Sequence, residues 1–489
     1  MSDVKMSVVK PVTCPICGCV CDDIEITVED GKIKKVKNGC VLSISKFLNY
    51  NCAHRLMTPM IRENGELVPV SLEKAVDKAA EILVNAKYPI LHGWSSTTSE
   101  AIGVGVKLTE EVGGVYDNCA VNCHGPSLQG VQHAGVPGST LGQIRHRADL
   151  VIYWGANPMV SHPRQLSRYT VGKEGKFASS DISRRFNKKA MQDEQQKDLN
   201  EIFDEKFMMQ HYPTKSAEMN GAIMDPLKID RKMIVVDIRM TPTAELADYF
   251  LKIEPNRDFE LFQALRVLVK GGELDVDSVA GVPVDKLEEI ADVMISCRFG
   301  VLFWGLGLTM TLGKYRNTEA AIRLVRDLNQ RAKFVMMPVR GHYNVAGSNV
   351  VACWLTGYPH SVDMSTGYPR YNPGETSITD ILIRGENDAS LILGADPVSN
   401  YPKKLCEGFV NNPLIVIDPH KNISTLMADV AIPVAFSGIE ASGTAYRMDN
   451  VPITLKKVVE PPAGILTDAE ILTMILAKVK ELKQKQQNN

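Results

Sequence analysis

Apolar runs that end in small, acidic or amide residues recur along the chain, and they restrict the fold more than any other feature. RADLVIYWGANP carries an apolar run from Asp149 to Trp154 into a Gly-Ala-Asn-Pro loop. KMIVVD ends in Asp237, RFGVLFWGLG ends in glycines, and SLILGADP and PLIVIDPH repeat the pattern. Such runs, with no polar alternation, suit strands buried on both faces, as in a parallel sheet covered by helices. Helical stretches lie between them. SLEKAVDKAAEILVNAK has helical apolar spacing behind a Ser cap, and PILHGWSSTTSEAIGVGVKLTEEVGG reads strand, polar loop, helix. The chain is therefore predicted to be α/β, with five parallel-type strands presenting Gly, Asn, Asp or Pro at their carboxyl ends, where open sheets of this kind bind ligands. One glycine-rich turn is usually only a turn. Their recurrence predicts a nucleotide-bearing cofactor gripped at several strand ends.

At 489 residues the chain exceeds one ordinary domain, and about three are expected. With 55 basic and 57 acidic residues the net charge is -2, which argues against a nucleic-acid surface or a polybasic membrane anchor. The start, MSDVKMSVVK, has no apolar leader core and no twin arginine, and no apolar run approaches the roughly 18 residues of a membrane span. A cytoplasmic protein is expected. Five of the 11 cysteines crowd between positions 14 and 40, which in a reducing compartment points to metal ligation rather than disulfides.

That crowd reads Cys14-x-x-Cys17-x-x-x-Cys21, then IEITVEDGKIKKVKNG, then Cys40. Asp30-Gly31 between two strand-like runs predicts a hairpin that returns the fourth thiol to the first three. A zinc ribbon usually pairs two CxxC units, so this spacing favours a four-iron four-sulfur cluster, with Cys19 left over as a buried thiol. The second chemical signal is the decapeptide NCAVNCHGPS, Asn118 to Ser127. Its Gly-Pro step is expected to hold Cys123 and His124 on a loop, where a thiolate can reach a metal and an imidazole can pass protons. The third is KFVMMPVRGHYN, a strand that delivers Arg340 to a Gly-bounded end, well placed either to clamp a carboxylate bidentately or to form a surface salt bridge. Residues 172 to 232 are polar, with KKAMQDEQQKDLNEIFDEKFMM as a charged helix, and are expected to be a surface insertion. A final helix is expected to run to about Lys483, followed by a polar tail.

CPICGCVCDD with Cys40, NCHGPS, WGANPMVSHPR, FWGLGLT, MPVRGHYNVAG, GADP and EASGTAYRM occur in the order in which they occur in the molybdopterin oxidoreductases of the formate dehydrogenase type. Within that group the chain resembles the catalytic subunits of archaeal formylmethanofuran dehydrogenases over nearly its whole length, the 172–232 insertion excepted. The resemblance implies an interleaved fold: an iron-sulfur domain over 1–57, completed by about 422–489; an α/β domain over 58–118 with 343–421; another over 119–342; and no C-terminal β-barrel. It implies molybdenum or tungsten bound by Cys123 and carried by two molybdopterin guanine dinucleotides, with His124 and Arg340 beside the metal. Cys14, Cys17, Cys21 and Cys40 would hold the 4Fe-4S cluster. Gly155, Asn157, His162, Asp237, Gly305, Gly307, Asp396 and Asp418 would contact the dinucleotides, with Glu440 and Arg447 as weaker candidates. Related formate dehydrogenases carry a lysine two residues after the last cluster cysteine; Leu42 stands there in this chain, leaving Lys46 or Arg55 for the role.

The implied activity is reversible reduction of carbon dioxide to formate. The implied partners are a small β-barrel pterin-binding subunit, an amidohydrolase that condenses formate with methanofuran, and a ferredoxin-like or polyferredoxin electron carrier. A stand-alone formate dehydrogenase would share the site but not the amidohydrolase. A non-redox formyltransferase/hydrolase subunit would need neither the four N-terminal cysteines nor Cys123, and an electron-transfer scaffold would need neither His124 nor Arg340.

Overall fold

The computed structural model describes residues 6–173, 175–179 and 229–488, so most of the polar insertion, its charged helix included, lies outside the described residues. The chain divides into two compact units, 123–341 and 1–122 with 342–489.

Unit 123–341 is built on five parallel strands in the order Tyr249–Lys252, Lys232–Asp237, Leu150–Trp154, Phe299–Trp304, Lys333–Pro338. In chain order this is 3-2-1-4-5, a doubly wound arrangement whose direction reverses between Leu150–Trp154 and Phe299–Trp304. Both strands are buried throughout. Leu150, Ile152, Trp154, Leu302 and Trp304 face a core completed by Leu261, Leu265, Leu324 and Val325 from two helices, Asp258–Leu268 and Tyr315–Leu328. Each such aliphatic side chain contributes roughly 1.5–3 kcal/mol on burial. Trp154 stacks on Phe262 at 3.8 Å between ring centroids.

The other unit has a nine-stranded sheet whose five central strands are parallel: Val115–Asn118, Pro89–Gly93, Ala389–Leu393, Leu414–Ile417, Val430–Ile432. Their order, 2-1-3-4-5, reverses between Pro89–Gly93 and Ala389–Leu393. Alternate residues supply two cores. Leu91, Leu391, Leu393, Ile415 and Ile417 pack against the helices Leu72–Asn85, Ser99–Val112 and Asp468–Asn488, while Ile90, Ile392, Leu414 and Val416 pack against Ile378–Arg384 and Lys403–Val410. Ser71 caps the first of these helices by accepting from the Lys74 amide.

All five apolar runs form parallel strands, distributed over two sheets. Two expectations are corrected. Gly125-Pro126 does not hold a loop but opens the helix Gly125–Ala134, since proline at the first turn gives up an amide that has no helical partner anyway; Cys123 ends the helical turn Ala120–Cys123, and His124 caps between them. The last helix also continues past Lys483 to Asn488, because its Gln and Lys residues are good helix formers.

Candidate active site and cluster site

Within unit 123–341, the thiol, the imidazole and the guanidinium of the sequence signals meet. Arg340 follows the Lys333–Pro338 strand and is buried, which pushes its guanidinium down to about 10; the charge of Cys123 opposes this shift, so the two side chains feel each other directly. The Cys123 carbonyl accepts from Thr309 Oγ1 at 2.6 Å. His124 is buried, and burial, then the Arg340 charge, pushes it down to about 3, so its ring is neutral at physiological pH. Its Nδ1 lies 3.1 Å from Ser127 Oγ and its Nε2 3.2 Å from the Val339 carbonyl. The next carbonyl, that of Arg340, meets His162 Nε2 at 2.6 Å, while His162 Nδ1 lies 2.8 Å from Ser161 Oγ. Two histidines thus hold consecutive carbonyls of the arginine loop.

The point where strand order reverses in this unit is made by the expected glycines. A Cβ on Gly155 (φ +54°) would stand 2.6 Å from Gly307, and one on Gly305 would stand 2.5 Å from the Gly155 carbonyl. The Gly307 amide donates to that carbonyl at 2.9 Å. Only glycine permits two strand ends to touch this way. Asn157 Oδ1 accepts from Thr243 Oγ1 at 2.7 Å, and Asp237 turns back onto the Arg239 amide at 3.2 Å.

In the other unit the reversal lies between the loops after Gly93 and Gly394. A Cβ on Gly93 would stand 2.0 Å from the Leu393 carbonyl. Sequence reading passed over Ser95, Ser96 and Thr97 as an ordinary polar loop, yet they sit at this strand end, as Asp396 does; their sequence signal is their place after the largely apolar strand Pro89–Gly93. Asp396 accepts from Ser424 Oγ (2.6 Å), Ser424 N (2.9 Å) and Ser399 Oγ (2.6 Å), and these bonds hold its carboxyl below the usual range. Asp418 is buried and pushed up to about 7 by burial. Arg447 forks onto Asp449 at 2.8 and 2.7 Å. Glu440 is held by Arg55 at 2.7 Å in a fully buried pair.

In the same unit, the Ile24–Glu29 and Lys32–Lys37 strands pair through Asp30 and Gly31, both at positive φ, as a type I′ turn requires. This hairpin brings Cys40 back as the residue preceding the helix Val41–Asn49. Cys14, Cys21 and Cys40 are buried, and Cys14 is pushed well up by burial and then by Cys21 and Cys17, with Cys40 adding to it. The Cys14 amide donates to the Cys21 carbonyl at 2.8 Å, Ser43 Oγ lies 3.2 Å from Cys14 Sγ, and Cys17 bridges His342. Cys19 is also buried and bonds to Cys17. Among the described residues no three His, Cys, Asp or Glu side chains close round a single metal ion; thiolates round a four-iron cluster stand farther apart than thiolates round one ion. Lys46 is largely buried, lies 4.5 Å over the Phe436 ring, and feels the charges of Asp418 and Cys14.

Residues 55–193 match the family described as molybdopterin oxidoreductase. The chain is 44% identical to a chain of the tungsten-containing formylmethanofuran dehydrogenase 2 of Methanocaldococcus jannaschii, over 98% of this chain and 100% of that one. The chain belongs to this family of formylmethanofuran dehydrogenase chains. It is a molybdopterin oxidoreductase family, and its members are oxidoreductases. In structure the chain is similar to acetylene hydratase from Pelobacter acetylenicus (TM-score 0.66, 13% identity, 96% of this chain and 69% of that one). It is also similar to a chain of the formyltransferase/hydrolase complex from Methylorubrum extorquens, solved in complex with methylofuran (TM-score 0.58, 17% identity, 87% and 99%). At such identities these two likenesses speak to fold alone. Among the described residues, no helix is long and apolar enough to cross a membrane.

Proposed function

We propose that this chain is the catalytic subunit of a formylmethanofuran dehydrogenase, interconverting carbon dioxide and formate at a tungsten or molybdenum centre that carries two pterin guanine dinucleotides. The observation that carries the proposal is the group of half-buried Cys123 with buried His124 and Arg340, gathered at the end of a parallel strand in a chain of this family. The residues present fit the groups implied. A thiolate is a suitable ligand for a redox-active metal. Each unit has its own reversal of strand order, which is where doubly wound sheets take dinucleotides, and this supports one dinucleotide per unit. Asn157, Asp237 and His162 would serve one, and Asp396 and Asp418 the other. Glu440 and Arg447, the weaker candidates, are each tied up in an ion pair, with Arg55 and Asp449.

The metal and its pterins would supply the two-electron chemistry. The protein's part is positional. Thr309 holds the Cys123 backbone, burial around Arg340 excludes water, and the guanidinium orients a carboxylate and stabilises its charge with two parallel donors. The gathered Cys14, Cys17, Cys21 and Cys40 support a 4Fe-4S cluster that feeds the site. Of the two candidates to stand in for the family lysine, Lys46 is better supported, because Arg55 is committed to Glu440.

In this reading the protein works in the cytoplasm with a small all-β pterin-binding subunit, an amidohydrolase subunit and a ferredoxin-like carrier. The test is metal and pterin content, with viologen-linked oxidation of formate and formylmethanofuran, on the complex purified from its native source. The absence of both tungsten and molybdenum refutes the proposal. Turnover of free formate with no amidohydrolase co-purifying converts it to a stand-alone formate dehydrogenase.

A further inference from the structure

His124 has hydrogen-bonding groups at both ring nitrogens, and together they settle which nitrogen carries the proton. Nε2 faces the Val339 carbonyl at 3.2 Å. A carbonyl only accepts, so Nε2 must be the N–H donor. In a neutral ring Nδ1 is then a bare acceptor, and its partner, Ser127 Oγ at 3.1 Å, must donate. Trp304 Nε1, a group with no acceptor capacity, donates to the same oxygen at 2.8 Å and occupies one of its two lone pairs, which orients the hydroxyl so that its hydrogen serves Nδ1. Trp304 is 0% exposed, Ser127 3% and His124 1%, so water does not compete for these bonds.

We infer that Ser127 and Trp304 form a tautomer lock: they hold His124 with its proton on Nε2, and through that N–H they fix the Val339 carbonyl and hence the loop that aims Arg340. Ser127 and Trp304 are positioning residues in this scheme. The chain Trp304, Ser127, His124, Val339 is not a proton relay, because an indole N–H has no lone pair with which to pass a proton on. It is a rigid bracket whose last member adjoins the arginine. His162, donating to the next carbonyl, that of Arg340, at 2.6 Å, completes the grip. Both ring nitrogens are therefore engaged within the bracket, Nε2–H on the Val339 carbonyl and Nδ1 on Ser127, so the ring has no free lone pair to act as a base and serves turnover by positioning Arg340. This consequence for turnover rests on the function proposed above; the lock itself does not.

The experiment is nitrogen-15 NMR of the purified complex carrying 15N-labelled histidine, with the His124 signals assigned by their loss in His124→Gln. In the wild type, Nδ1 is expected at the unprotonated shift and Nε2 at the protonated one. Ser127→Ala and Trp304→Phe should each move the two signals toward averaged positions, and Ser127→Thr, which keeps the hydroxyl, should restore them. Alongside, formate kcat/KM should fall roughly 10- to 100-fold in Ser127→Ala with metal content retained, and recover in Ser127→Thr, as expected for misplacement of a substrate-holding group. A wild-type signal protonated on Nδ1, or on both nitrogens, overturns the lock. So do unchanged shifts in both Ser127→Ala and Trp304→Phe. Wild-type shifts as expected in a complex without tungsten or molybdenum would sustain the lock while refuting the proposed activity.

Discussion

Replacing Glu440 by Gln should destabilise the chain by several kcal/mol whether or not any cofactor is bound. Arg55 and Glu440 pair at 2.7 Å with side chains 2% and 1% exposed. The same guanidinium nitrogen donates to the Val434 carbonyl at 3.0 Å, and Glu440 Oε2 accepts from the Phe436 amide at 2.8 Å. Burial is the largest influence on both groups, pushing Arg55 down and Glu440 up, so desolvation outweighs the attraction between them. A pair of this kind adds little net stability, but removing one partner strands a buried charge, at a cost of about 3–5 kcal/mol. Glu440→Gln and Arg55→Met should each lose about that much in denaturant unfolding, and the double variant Arg55→Met/Glu440→Leu should recover most of it. A double-mutant cycle in which each single change costs under about 1 kcal/mol would refute the reasoning. Glu440 Oε1 is buried and has no hydrogen-bond partner among the described residues, so any cofactor contact by Glu440 would have to use that oxygen.

Cys123→Ser should bring viologen-linked turnover to background while the N-terminal cluster signal persists in electron paramagnetic resonance; turnover near wild type rejects Cys123 as the metal ligand. Arg340→Lys should cost roughly 10²–10³-fold in kcat, since a point charge cannot replace a planar fork, and normal turnover with retained metal would make Arg340 structural. Cys21→Ala should abolish the cluster signal and Cys19→Ala should spare it; the opposite pattern would exchange their roles. Asp468 is buried, accepts from Thr97 Oγ1 at 2.5 Å and Ser437 Oγ at 3.2 Å, and is pushed up to about 6 by burial. Its neutral form is favoured in the fold, so the wild type should lose stability as pH rises from about 4 to about 6. Asp468→Asn should gain on it by roughly 3 kcal/mol over that window, at about 1.4 kcal/mol per pKa unit, and then level off. A stability difference between the two proteins that is flat from pH 4 to pH 8 would show that Asp468 does not titrate in this way.

The strands were legible because burial on both faces leaves a continuous apolar run, and the runs ending at Trp154 and Trp304 are buried at every residue. The hairpin was legible because Asp30 and Gly31 supply the positive φ angles its turn requires. What remained hidden was the order of strands across each sheet, which depends on crossovers that leave no local mark. The placing of Ser95 to Thr97 was hidden for the same reason: a polar loop becomes part of a site only if its strand lies next to the reversal. Misreading Gly125-Pro126 as a loop had a local cause, since the dipeptide that ends one helix can equally begin the next.

The residues around His124 show where a single sequence stops informing. The motif NCHGPS displayed Cys123, His124 and Ser127 together, but the state of the imidazole depends on Trp304, 177 positions beyond Ser127. Arg340 was legible as a strand-end arginine, while its restraint by two histidine-bound carbonyls was not. Chemistry-bearing side chains can be named from local pattern because their type is the signal. Their protonation and aim are set by neighbours that only the parallel sheet brings together, with Phe299–Trp304 placing Trp304 against Ser127 and Lys333–Pro338 carrying the chain to Val339 and Arg340. Adjacent strands of one sheet thus supply both the lock and the group it aims, so a displacement of either strand end should disturb His124 and Arg340 together.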